Sequence, residues 1–142
     1  MRHRKKKLKF ARSLKQAKRL WRNLLANLIL YERIKTTKAK AKKLKGLLDQ
    51  LINIGKKQNL ASQQQLFKFF YIKEPVKKIN EDLIKRYKNK KSGYSRIIPI
   101  GIRKGDGAEM VIWELIEEEK PKTQKQNKTK KPKHSFKTKN KK

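Results

Sequence analysis

The residues able to do chemistry are few, and their spacing argues against catalysis. His3 and His134 lie in opposite terminal segments with no third ligand nearby, so neither marks a metal site. Glu117-Glu118-Glu119 are consecutive carboxylates at the end of a strand-like run; they point to different faces and read as solvated charge. Glu81 and Asp82 are neighbours on a helical pattern and do not face each other. Gly101-x-x-x-Gly105-x-Gly107 precedes no GK[ST] and joins two strands, so it is not a phosphate-cradling nucleotide loop, and Asp106 within it is expected to stabilise its turn. No Ser/His/Asp arrangement is present, and with no cysteine there is neither a disulfide nor a thiolate metal site. The expectation is a protein that is not an enzyme, with no cofactor, no metal and no small-molecule substrate.

The chemistry that remains is the binding of phosphate. The 142 residues carry 43 Lys plus Arg against 11 Asp plus Glu, a formal net charge of +32. The first acid is Glu32, and eleven Lys and Arg precede it. The excess is +11 in 1–31, +10 in 32–119 (21 basic less 11 acidic) and +11 in 120–142. Such charge draws a chain to polyanions, and a sequence pI near 10.6 points to nucleic acid. A membrane partner would need bulky apolar residues beside the basic ones, which the termini lack. No apolar run approaches the length of a membrane span. A secretory signal would need an apolar stretch after the first lysines, and a transit peptide would be richer in hydroxyls than one with Ser13 as its only Ser or Thr before Thr36. Lysine outnumbers arginine 34 to 9, which favours phosphate and shape recognition over base reading.

Behind these charges stands one foldable domain, expected over 13–119. Residues 1–12 read as an extended basic arm, able to reach roughly 40 Å and to order on a nucleic acid. Ser13 is a candidate N-cap for a helix whose apolar stripe is Leu14, Ala17, Trp21, Leu24, Leu28 and Tyr31, broadened by Leu25 and Ile29. Trp21 on that stripe reads as a core anchor, and Lys15, Lys18, Arg19 and Arg22 take the opposite side. Arg33-Ile34-Lys35 could add a short strand. Thr36 or Thr37 then caps a second helix with Ala41, Leu44, Leu48 and Leu51 inward and Gly55 as a left-handed stop. Lys38, Lys40, Lys42, Lys43 and Lys45 crowd the start of this helix, where cations are disfavoured, so a bound anion is expected to compensate. Asn59 or Ser62 opens a third helix, and Pro75 suits the first position of a fourth.

The period then changes. Tyr94–Ile102 and Met110–Ile116 are strand-like and joined by Arg103-Lys104-Gly105-Asp106-Gly107; Pro99 marks an edge or a bulge. Val111, Trp113 and Leu115 share one face, and Met110, Ile112, Glu114 and Ile116 share the other. The fold class is α+β, about four helices on a small sheet. Residues 120–142, with eleven Lys and no acid, should be disordered without a partner. The candidate nucleic-acid contacts are Arg2, His3, Arg4, Lys5, Lys6, Lys7, Lys9 and Arg12 in the arm. Lys15, Lys18, Arg19, Arg22, Lys38, Lys40 and Lys42 follow on the helices, and Arg96, Arg103 and Lys104 on the hairpin.

Several segments, in order, resemble one family. Met1-Arg2-His3-Arg4, Leu24 to Lys42 (LLANLILYERIKTTKAKAK), Gly93-Tyr94-Ser95-Arg96-Ile97 and Arg103-Lys104-Gly105-Asp106-Gly107-Ala108 with Met110 are similar to motifs of the bacterial-type large-subunit ribosomal protein family numbered seventeen. The resemblance spans about residues 1–116. It implies an α+β domain bound to large-subunit rRNA near the polypeptide exit region. Neighbouring ribosomal proteins are the other implied partners, a cytoplasmic bacterial ribosome is the location, and neither catalysis nor homo-oligomerisation is expected. It carries over Arg2, His3, Arg4, Arg96, Arg103 and Lys104 as RNA contacts. Lys7 and Ala11 replace small residues, Gln16-Ala17-Lys18 replaces a His-Arg-Lys-like step, and Pro99 and Ile102 depart from the usual strand. A DNA-compacting, histone-like protein is the alternative reading.

Overall fold

A computed structural model of the chain describes residues 13–116. Ser13 caps the first helix, α1 (Leu14–Tyr31), with its side chain accepting a hydrogen bond from the Gln16 N–H at 3.3 Å. Ala17, Leu25, Ala26, Leu28 and Ile29 form its buried face. The two ends of the expected stripe do not take part: Leu14 and Tyr31 are exposed, because the helix runs past the core at both ends. Glu32 ends α1 in the left-handed conformation (φ 61°), and the chain turns directly into β1 (Arg33–Thr37).

Thr37 passes from β1 into α2 (Lys38–Lys56) without a side-chain capping bond. Gly55 is not the expected stop. It is buried inside α2, and a Cβ placed there would stand 2.7 Å from Ile79 Cγ2. The residue is needed for close approach of two helices, and the positive φ falls on Gln58 instead. Gly55→Val should therefore lower stability by about 1–3 kcal/mol through overpacking. Gly46→Ala on the same helix, where an added Cβ meets nothing within 4 Å, should raise it by up to about 1 kcal/mol. Denaturant midpoints of the two variants check both signs.

Asn59 caps α3 (Leu60–Phe70) by accepting from the Ser62 N–H. The fourth helix is one rod of three parts: α4 (Lys73–Lys78), a π-helical turn (Ile79–Leu83) and α5 (Ile84–Arg86). Pro75 is its third residue rather than its first; Ile72 holds the capping position, and the first turn leaves the missing N–H without consequence. Ile79, Leu83 and Ile84 from this rod close the core against α2 and α3.

The sheet contains β1, β2 (Ser95–Ile102) and β3 (Glu109–Leu115) in the order β1-β3-β2, with both pairings antiparallel. The short strand near Ile34 is thus real, and it pairs with the last strand. Pro99 lies on the edge strand, next to a register shift between Pro99 and Gly101. Val111, Trp113 and Leu115 turn inward, and Trp113 is fully buried with its Nε1–H donating to Ser95 Oγ at 3.0 Å. Tyr87 and Tyr94 are equally buried, and their rings lie 4.9 Å apart.

A charged cluster ties the end of α1 to the fourth rod. Arg86 Nη1 and Nη2 donate to the two oxygens of Glu32 at 2.9 and 3.1 Å, and Nη2 also reaches Asp82 at 2.8 Å. Lys78 Nζ meets Glu32 at 2.7 Å and donates to the Leu30 carbonyl at 2.9 Å. The Arg86 hydrogen bonds, helped by Lys78 and opposed by partial burial, hold the Glu32 carboxyl down at about 2. A depressed carboxylate contributes stability above its unfolded value of about 4.3 and loses it as pH falls toward the folded value. The wild type should therefore lose about 2 kcal/mol from this group between roughly pH 5 and pH 2. Urea melts of Arg86→Met at stepped pH should show a flatter acid limb.

Candidate nucleic-acid interface

The arm contacts Arg2, His3, Arg4, Lys5, Lys6, Lys7, Lys9 and Arg12 lie outside the described residues. On α1, Lys15, Lys18 and Arg19 are exposed on the side away from the core, as the stripe requires. Arg22 is different. Its Nε donates to the Phe69 carbonyl at 2.5 Å and its guanidinium lies 4.1 Å from the Tyr71 ring centroid. The side chain thus fastens α1 to the end of α3 and is partly withdrawn from any ligand.

At the start of α2, Lys38 and Lys42 are exposed and Lys40 half-buried, and the first turn contains no acid. Part of the compensation expected from an anion is supplied inside the chain, since Lys38 Nζ pairs with Glu109 at 2.8 Å. Lys38, Lys42 and Lys43 line a shallow open groove beside Glu109. Because Ile102 pairs with Glu109, this cationic helix start lies at the same end of the sheet as the β2–β3 turn. Arg103 and Lys104 are exposed on that turn. Asp106 does stabilise it: the carboxylate takes Arg103 Nε at 2.8 Å and Nη2 at 2.5 Å, and accepts the Ala108 N–H. The Arg103 bonds hold the Asp106 carboxyl down at about 2. Among the described residues Lys104 makes no ion pair, unlike Arg103.

Arg96 is presented by a rigid base. The Gly93 and Tyr94 N–H groups donate to the Asp49 carboxylate at 3.1 and 3.3 Å, and Tyr94 Oη sits among Asn53, Lys56 and the Lys90 carbonyl. Ser95 is buried beneath Trp113, so the next residue, Arg96, must point to the outer face. There it pairs with Glu114, as does Arg33. Nothing in the sequence marks Arg33 for this role, because only the strand register places it level with Arg96.

Among the described residues no group of His, Cys, Asp and Glu could hold a metal ion, and no helix is long and apolar enough to cross a membrane. What these residues offer is a set of exposed cations on rigid elements, an arrangement suited to a phosphate backbone.

Comparison with known proteins bears on most of this domain. The model of the family described as ribosomal protein L17 matches residues 20–116. The large ribosomal subunit protein bL17 of Dehalococcoides mccartyi is 41% identical over 116 residues, covering 82% of this chain and 99% of its own. The bL17 of Thermodesulfovibrio yellowstonii is 42% identical over 121 residues, 85% of this chain and 91% of its own. That of Fusobacterium nucleatum is 40% identical over 116 residues, 82% and 100%. The family match covers more than half of the sequence and these relatives are aligned over nearly their full lengths, so the chain belongs to the ribosomal protein L17 family.

Proposed function

We propose that the chain is a structural constituent of the large ribosomal subunit, binding folded large-subunit rRNA by phosphate neutralisation and shape fit and so supporting subunit assembly and translation. The observation that carries the reading is that relatives named as large-subunit proteins match this chain at 40–42% identity over 116 to 121 residues. The geometry agrees in kind. The first turns of α1, α2 and α3 contain no acid, and the exposed cations of α1 project from a helix whose other side is fixed in the core. Binding would release counterions from RNA, and the lysine-rich surface would follow backbone shape rather than sequence.

The work divides along the chain. The arm 1–12 leads without an acid into α1, so arm and helix act as one surface, with Arg2, His3, Arg4 and the arm lysines threading between RNA helices. The domain 13–119 docks through Lys15, Lys18, Arg19, Lys42, Arg96 and Lys104, with other large-subunit proteins as neighbours. The tail 120–142 adds charge. Ultraviolet crosslinking of the protein in growing cells, followed by sequencing of the attached nucleic acid, should recover large-subunit rRNA. Recovery mainly of genomic DNA would replace this reading with that of a DNA-compacting protein.

A further inference from the structure

The outer face of the sheet holds an arrangement unlike the other ion pairs of the protein. Arg33, Glu114 and Arg96 stand at one level across the three strands, since Glu114 on central β3 is the register partner of both arginines. Its Oε2 lies 3.3 Å from Arg33 Nε, and its Oε1 accepts from Arg96 Nε. The carboxylate side chain is 12% exposed, whereas those of Arg33 and Arg96 are 62% and 65% exposed. Both guanidinium groups are therefore held by the Nε edge over a sunken carboxylate. Among the described residues neither makes a hydrogen bond through its terminal nitrogens.

The other arginine ion pairs among the described residues show the contrast. Arg86 spends both terminal nitrogens on Glu32 and Asp82 and is mostly buried, while Arg103 gives Nε and one terminal nitrogen to Asp106. Those are closed pairs. The Glu114 triad is open: two cations share one anion, so a positive charge is left over. Lys35, exposed and two residues along β1 from Arg33, adds a second on the same face.

We propose that Arg33, Arg96 and Lys35 form a phosphate-binding site on the outer sheet face for the RNA backbone, and that Glu114 is its positioning residue. This rests on the reading of the chain as an RNA-binding protein. Adjacent strands lie about 4.8 Å apart, so the two arginine backbones flank β3 at about twice that spacing and their side chains converge on the centre. Glu114 offsets the repulsion between them and fixes each by Nε, leaving the paired terminal N–H donors that suit a phosphate. Without the carboxylate the guanidinium groups repel and separate.

The test turns on a sign. Glu114→Gln makes the protein more positive by one charge, so an account from net charge alone expects tighter binding. The positioning role expects weaker binding, by about tenfold. The probe is a transcript of the organism's own large-subunit rRNA, titrated against the full chain at several salt concentrations, with folding of each variant checked by circular dichroism. Arg33→Gln and Arg96→Gln should each reduce the salt slope by about 1. In an Arg33→Gln/Arg96→Gln background, Glu114→Gln should cost nothing further, and Glu114→Asp should retain part of the wild-type affinity. Equal or tighter binding by Glu114→Gln, or a loss that persists without the two arginines, overturns the proposal. If Glu114→Gln does not fold, the single arginine variants decide, and unchanged salt slopes sink the site. A wild-type chain that fails to bind the transcript at all would instead remove the RNA reading beneath it.

Discussion

Replacing Trp113 by Ala should abolish the cooperative fold of the isolated protein or lower its melting temperature by roughly 15–30 °C, the equivalent of about 3–5 kcal/mol for a domain of this size. Trp113 is the largest fully buried side chain, set on the central strand between β1 and β2. Truncation would open a cavity against the helices and leave the buried Ser95 hydroxyl without its indole donor. A domain with about 5–15 kcal/mol in total has little margin for such a loss, and the self-repulsion of a +32 chain narrows it further. Trp21→Phe supplies the contrast. Trp21 packs only at the margin of the core, and its Nε1 is buried without a hydrogen-bond partner among the described residues. Losing that N–H removes an unmet donor, so stability should stay within about 1 kcal/mol of wild type or rise. Thermal melts followed by circular dichroism compare the two directly.

Deleting residues 1–12 should be the most damaging change to function, even though it removes fewer charges than deleting 120–142. The arm contains seven Lys and Arg and the tail eleven Lys. If attraction to RNA were a matter of total charge, loss of the tail would hurt more. The proposed division of labour gives the opposite order, because the arm continues into the exposed cations of α1 while the tail is attached beyond the last strand. Each phosphate contact contributes roughly 0.7–0.9 to the slope of log affinity against log salt, so seven lost contacts should flatten it by about 5–6. Shortened chains expressed in place of the wild type, with large-subunit particles quantified for the protein, would show the tail variant retained and the arm variant depleted. Depletion of the tail variant alone would refute the assignment.

The parts of this fold that were legible in the sequence are those set by local chemistry. Ser13 and Asn59 cap helices where their side chains reach a free N–H, and Arg33–Lys35 extends into a strand. Pro99, which cannot donate to a ladder, sits at an edge beside a bulge. Positions whose role depends on a distant segment read differently. Gly55 has the residue type of a helix stop, where glycine is usual; its actual requirement comes from Ile79, which approaches from another helix. Leu14 and Tyr31 keep the helical period, but nothing in the period says where the opposing surface ends.

The candidate site follows the same rule. The cations of α1 and the turn around Asp106 were visible as sequence features, and the structure places them as exposed charge and as a closed turn. That Arg22 holds α3, that Arg86 locks Glu32, and that Arg33 meets Arg96 over Glu114 all required contacts between residues 18 to 81 positions apart. No periodicity records such pairings.

The proposed place of this chain is the large ribosomal subunit, bound to its RNA. The measurement is where the protein travels when a cell lysate is sedimented at moderate salt, with and without DNase treatment. The protein should co-migrate with the large subunit, whether or not DNase is added, and stay with it when the ribosome is split into its two parts. Recovery of the protein chiefly in DNase-sensitive nucleoid, or free at the top of the gradient, would contradict it.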